Sequence, residues 1–158
     1  SGYSVALGIN AGMSSQGGEA VAIGSNSGQY SQGAYALAIG SGSGSNTGTG
    51  AIGLGYRSGV SGSNYSVALG FEAGNYYDTA PLGQYAIAIG YRASYDQGVD
   101  NSIVLNASGS QLNATQAGLY INPVRWTETQ DATDDGIMFY NQLTKEVRYS
   151  FALDGGSF

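Results

Sequence analysis

Large and small apolar residues alternate in a five-residue string that returns along the first two-thirds of the chain. It reads Ser4-Val5-Ala6-Leu7-Gly8, Ala20-Val21-Ala22-Ile23-Gly24, Ala36-Leu37-Ala38-Ile39-Gly40, Ala51-Ile52-Gly53-Leu54-Gly55, Ser66-Val67-Ala68-Leu69-Gly70 and Ala86-Ile87-Ala88-Ile89-Gly90, with a degenerate copy at Ser102-Ile103-Val104-Leu105-Asn106. The last positions of these copies are 8, 24, 40, 55, 70, 90 and 106, so the steps are 16, 16, 15, 15, 20 and 16. Alternation with period two predicts a β-strand in each copy. A period this short leaves no room for a helix. It fits one coil of a parallel β-solenoid, each coil stacking on the last at about 4.8 Å. The closing Gly suits a positive φ, and Asn106 in its place is the side chain most tolerant of that conformation. A small residue recurs three positions after the Gly, at Ala11, Ser27, Ser43, Ser58, Ala73 and Ala93. Each repeat therefore reads as a strand, a tight turn, a second short extended segment and a polar loop.

Both faces of the alternating strand are uncharged. Val5, Leu7, Val21, Ile23, Leu37, Ile39, Ile52, Leu54, Val67, Leu69, Ile87, Ile89, Ile103 and Leu105 call for burial. The small row, which includes Ala38 and Ala88, is apolar too. A thin roll has a single interior, and the pattern leaves open which row fills it. The other row is expected to pack against further copies of the chain, giving a homo-oligomer, with a trimer the expected form. The competing reading is a monomeric solenoid with its Ala row in water.

Composition narrows the chemistry. Of 158 residues 27 are Gly, and charged residues make up only 10%. There is no Cys and no His, which removes disulfides, thiol nucleophiles, imidazole metal sites and the Ser-His-Asp triad. A net charge of −6 argues against nucleic acid, since phosphate neutralisation needs Lys and Arg. No apolar run is long enough to span a bilayer, and no secretory leader is visible. Strong helix formers are scarce.

The pattern changes after Asn106. Residues 1–106 carry seven charges and residues 107–158 carry nine. Gly118-Leu119-Tyr120-Ile121-Asn122-Pro123 reads as a short strand stopped by Pro. Ile137-Met138-Phe139-Tyr140 and Val147-Arg148-Tyr149-Ser150-Phe151 read as two strands of a hairpin turning through residues 141–146. A lone hairpin is marginal in water, which again favours an oligomer.

The strings Ser-Val-Ala-Leu-Gly and Ala-Ile-Ala-Ile-Gly, each with a small residue three positions on, resemble the head repeats of YadA-like trimeric adhesins. The likeness covers residues 1–109. It departs from that family in its longer coils, its Tyr content and one enlarged loop. The segment from Gly118 to Arg125, with Met138-Phe139-Tyr140-Asn141 and Thr144-Lys145-Glu146-Val147-Arg148-Tyr149-Ser150, resembles phage and large-virus fibre proteins, where it stands before an endosialidase-type intramolecular chaperone. The chain opens inside a repeat and no chaperone follows, as expected of a cleaved product or part of a longer fibre. These resemblances imply an all-β fold: a left-handed parallel β-roll over residues 1–109, homotrimeric, followed by a strand-rich C-terminal connector over 110–158 with a hairpin at 137–151. They imply a structural and adhesive role in a viral tail or capsid fibre, at the virion surface and extracellular. The expected partners are other copies of the chain, other fibre segments, and a host cell-surface glycan or protein. The head of a bacterial trimeric autotransporter adhesin is the alternative. No enzyme activity, cofactor, metal, nucleic acid or membrane insertion is expected.

Three groups of residues are candidates for binding. Tyr3, Tyr35, Tyr65 and Tyr85 precede the strand by two positions, and Tyr56, Phe71 and Tyr91 follow the Gly directly. They read as a stacked ladder along the coils, or as a platform for sugar rings. The 20-residue step between Gly70 and Gly90 enlarges one loop, and Tyr76, Tyr77 and Asp78 there are the expected ligand contacts. Glu128, Asp131, Asp134 and Asp135 form an acidic run without the spacing of a calcium loop, and read as solvated. A glycan-processing enzyme would need paired carboxylates, and the acids of the repeats, Asp96 and Asp100 among them, do not recur as pairs.

Overall fold

A computed structural model describes residues 2–59, 61–75, 81–124 and 137–150. The chain divides into two compact units, Ser1–Val124 and Arg125–Phe158. The first unit is an all-parallel β-solenoid of about seven turns, with no helix among the described residues. Its strands are β1 (Val5–Leu7), β2 (Val21–Ile23), β3 (Leu37–Ile39), β4 (Ile52–Leu54), β5 (Val67–Leu69), β6 (Ile87–Gly90), β7 (Ser102–Asn106) and β8 (Gly118–Asn122). They form one eight-stranded sheet in sequence order. The register aligns equivalent repeat positions: Ala22 faces Ala38, Ala38 faces Gly53, and Ala68 faces Ala88 across the ladder. It holds across the 20-residue step, where Val67 still pairs with Ile87 and Leu69 with Ile89.

The coils are tied together outside the strands as well. The Gly28 N–H donates to Ser43 O at 2.8 Å, Gly33 to Thr47 O at 2.9 Å and Tyr35 to Gly18 O at 3.0 Å. Every segment of a coil thus finds backbone partners in its neighbours, which is how so thin a structure satisfies its amides.

The small row lies inside. Ala22, Ala38, Ala68, Ala88 and Val104 are fully buried. The small residues three positions beyond the closing Gly face the same interior, where Ser27, Ser43, Ser58, Ala73 and Ala93 are buried. Their hydroxyls cap strand carbonyls: Ser27 Oγ donates to Ala38 O at 2.8 Å and Ser43 Oγ to Gly53 O at 2.7 Å. At the far corner, Gln32 Nε2 donates to Val21 O at 2.8 Å and Ala36 O at 3.3 Å. Leu82 fills the corner position of the enlarged coil and packs in a cluster with Ala68, Ala86 and Ala88.

Two glycine columns set these dimensions. Gly24 has φ +122°, and a Cβ there would sit 2.8 Å from the Gly40 carbonyl carbon of the next coil. Gly28 has φ +52°, and a Cβ there would meet the Ala22 Cβ at 3.1 Å and the Gln32 Oε1 at 2.7 Å. In the coils at Gly12, Gly28, Gly44, Gly59 and Gly74 the wall opposite the small row is therefore glycine, and Ser94 with φ 49° takes the position in the next coil.

Two expectations need correction. Asn106 does not take a positive φ; β7 runs through it, paired with Gly90. Its amide instead donates to Tyr91 O at 2.6 Å and Ser110 O at 2.7 Å, so a buried polar cap replaces the glycine turn. The sheet also continues beyond residue 109. Ser102 pairs with Gly118 and Asn106 with Asn122, one more 16-residue step. Large positions still alternate there, at Leu119 and Ile121, which is why the segment joins the ladder although the string itself is lost.

In the second unit, β9 (Ile137–Tyr140) and β10 (Val147–Ser150) form an antiparallel hairpin. Asn141 Oδ1 accepts the N–H groups of Leu143 and Thr144 at 2.9 and 3.1 Å, holding the turn.

Gly28→Ala should destabilise the roll by about 2 kcal/mol or more, the sum of a left-handed backbone penalty and overpacking. Gly18→Ala, where a Cβ meets nothing within 4 Å, should be neutral or stabilising. Urea denaturation of both variants checks this, and equal losses at the two positions would contradict it.

Candidate functional site

With the small row inside, the aliphatic row points out. Leu54 is 38% exposed and Ile89 is 37% exposed, while Ala38 and Ala88 between the outward rows are sealed. Ile52, Leu69, Ile103, Leu119 and Ile121 are exposed, and Val21, Ile23, Leu37, Ile39, Val67, Ile87 and Leu105 are half-buried. Leu7 and Leu119, on the two edge strands, are the most open of the row. Two aliphatic columns thus run along one face of an eight-stranded sheet. Ile89, Leu105, Ile121 and Pro123 line a shallow apolar groove at its last strands. Among the described residues nothing covers these columns, and monomeric proteins rarely leave so long an apolar patch in water.

Aromatic columns border the same coils. Tyr56 stacks on Phe71 at 5.1 Å and Phe71 on Tyr91 at 5.6 Å between ring centroids. Tyr65 stacks on Tyr85 at 5.6 Å. Parallel in-register coils bring equivalent residues one strand spacing apart, close to the stacking distance of rings. Tyr35, Tyr65 and Tyr85 all adopt left-handed backbone, at φ 61°, 57° and 55°. In the coil between Tyr35 and Tyr65 the position belongs to Gly50, whose missing Cβ leaves room for the Tyr65 ring. Tyr3 is exposed on the first coil.

A charged column adjoins the ladder of Tyr56, Phe71 and Tyr91. Arg57, Glu72 and Arg92 occupy the same position in successive coils, all with left-handed backbone. Arg92 Nε donates to Glu72 Oε2 at 2.8 Å, and the Glu72 side chain is only 8% exposed. This hydrogen bond is the main reason the Arg92 guanidinium is held still further toward its charged form than usual. Arg92 also lies over the Tyr91 and Tyr95 rings, at 5.3 and 4.8 Å. Sequence reading missed this pair. Its signal is the 20-residue separation, which equals the coil step and places the two residues in one column.

The expected ligand contacts Tyr76, Tyr77 and Asp78 lie outside the described residues, as do Glu128, Asp131, Asp134 and Asp135. The residues flanking the enlarged loop are firmly placed: Asn75 and Leu82 are fully buried. Among the described residues no three acids gather in a way that would hold a cation. Asp96 accepts from Gln111 Nε2 through its carboxylate and Asp100 from the Gln84 N–H, so both serve as links between coils.

No family model, curated protein or solved structure matches this chain.

The ladders generate a stability prediction. Phe71→Ala removes two stacked pairs and should cost about 1–3 kcal/mol, at 0.5–1.5 kcal/mol per pair, while Phe71→Tyr should cost little. Thermal denaturation of both variants checks it; an Ala variant as stable as the parent would show that the rings are merely adjacent.

Proposed function

We propose that the chain is a structural and adhesive segment of a homotrimeric extracellular fibre at a virion surface, presenting its polar corners to a host cell-surface glycan or protein. The observation that carries this reading is the outward aliphatic face. Fully burying each Val, Leu or Ile side chain is worth roughly 1.5–3 kcal/mol, and the row repeats in every coil. Two columns of similar residues in strict register form a self-complementary surface, which copies of one chain can share about an axis. Three rolls meeting along their aliphatic faces enclose such columns and leave the loops and tyrosine ladders outside. The left-handed sense of the roll and the viral setting rest on the resemblance of the repeats to YadA-like heads and of residues 118–125 and 138–150 to fibre proteins. In this reading the hairpin belongs to a connector that links the roll to further fibre segments. What favours a binding role over catalysis is that the sequence has neither Cys nor His and that the Asp96 and Asp100 carboxylates accept hydrogen bonds from neighbouring coils.

Native mass spectrometry at micromolar concentration should give about three times 16.1 kDa. Leu54→Glu places a charge on the shared face without entering the roll, and should yield a folded monomer with the β-sheet circular dichroism of the parent. A wild-type monomer, or a Leu54→Glu variant that stays trimeric, would contradict the reading.

A further inference from the structure

The column of Tyr56, Phe71 and Tyr91 ends at a cleft. Ser41 holds the register position occupied by Tyr56, Phe71 and Tyr91 in the next three coils, with the Arg57 N–H bonded to Ser41 O at 3.0 Å. Gly42 follows it, and the Arg57 side chain passes where a Cβ would lie, its Cγ at 3.3 Å. The small residues of this third coil leave a cleft of about 350 Å³ between the second and fourth coils. Tyr30 stands on one side, Tyr56 and Arg57 on the other, and Gln29 and Asn46 also line it. Tyr30 and Tyr56 are 47% and 41% exposed. The Arg57 guanidinium lies over the Tyr56 ring at 5.1 Å. The side-chain amides of Gln29 and Asn46 have no hydrogen-bond partner among the described residues.

We propose that this cleft is a saccharide-binding site, taking the pyranose rings of a short stretch of polysaccharide. The volume lies at the small end of ligand sites. A pyranose presents an apolar C–H face and a rim of hydroxyls. Tyrosine rings suit the first, being flat, rigid and amphipathic. Amides suit the second, since each offers both donors and acceptors and pairs with a hydroxyl in either orientation. None of the described residues lining the cleft carries a carboxylate, so the pair of acids on which most glycosidases depend is not found there, and the site is proposed as one that binds. The cleft lies within a single chain. Its biological meaning rests on the adhesive reading above, in which an assembly presents several copies and weak sites gain by avidity.

The test uses the full chain and saturation-transfer-difference NMR with three probes at millimolar concentration: chitotriose, lactose and 3′-sialyllactose. Transfer to the ring C–H protons of at least one probe is expected. Tyr30→Ala should weaken that binding by about tenfold, as for an anchor residue. Ser41→Tyr should abolish it by filling the cleft, while extending the aromatic column and leaving the melting temperature unchanged or higher. That variant keeps the experiment decisive, because the next coil already carries Tyr at this position. Transfer to none of the three probes, or transfer undiminished in Ser41→Tyr, overturns the site. Loss of the site with the trimer intact leaves the fibre reading standing, whereas saccharide binding by a monomer sinks the trimer and keeps the cleft.

Discussion

The two walls of the roll stand so close that side chains larger than Ala, Ser or Gly seldom fit between them. A Cβ added at Gly28 would come within 3.1 Å of the Ala22 methyl, and the same juxtaposition of a Gly column and an Ala column recurs coil after coil. This spacing decides the orientation of every strand. A period-two strand with large and small rows has one way to enter so thin an interior, small row first. The large row is then exported to the outer face, where the described residues of the roll offer it no cover. Dense packing of small residues, in-register backbone hydrogen bonds and Ser or Gln side chains on strand carbonyls stabilise the interior. The usual aliphatic core has moved outside.

From that inversion the surface follows. Identical register in every coil turns single residues into columns: aliphatic on the sheet, aromatic beside the turns, charged where Arg57, Glu72 and Arg92 succeed one another. Columns of like residues reinforce the stack through rings and ion pairs, and they also make the molecule uniform along its length. The adhesive role proposed above needs departures from uniformity. One is the third coil, where Ser41 and Gly42 stand just before the aromatic and charged columns begin at Tyr56 and Arg57 and leave a cleft. Another is the enlarged loop between Asn75 and Leu82, whose two flanking residues are anchored in the interior.

Much of this is written in the sequence, because a short repeat repeats its errors and its rules alike. Strand positions, parallel register and coil length are legible from the string ending at Gly8 and its successors. The direction of the faces is not, since Ala and Val are both apolar and the pattern carries no ruler for the width of the roll. The glycines at positions 12, 28, 44, 59 and 74, four beyond the closing Gly, are that ruler, and they are visible only once they are set opposite the Ala row. Asn106 misled because Asn tolerates a left-handed backbone but equally caps carbonyls, and tertiary context chose the cap. The left-handed tyrosines at 35, 65 and 85 run against residue preference and are carried by the coil geometry. The cleft escaped sequence reading because it is an absence, a small residue beside the large one that follows it in the column.

In the proposed trimer the aliphatic columns, which face outward from each roll, are buried between copies. The chain has no native Cys, so a single Ile89→Cys substitution reports on that face alone. Native-state labelling with a maleimide, followed by mass spectrometry, measures its protection. The account predicts slow labelling at tens of micromolar protein, and fast labelling on dilution below the dissociation constant while β-sheet circular dichroism is unchanged. Labelling that is fast at every concentration would mean that the columns stand in water. Labelling that stays slow until the chain unfolds, in a protein shown to be monomeric, would mean that the large row lies inside the roll.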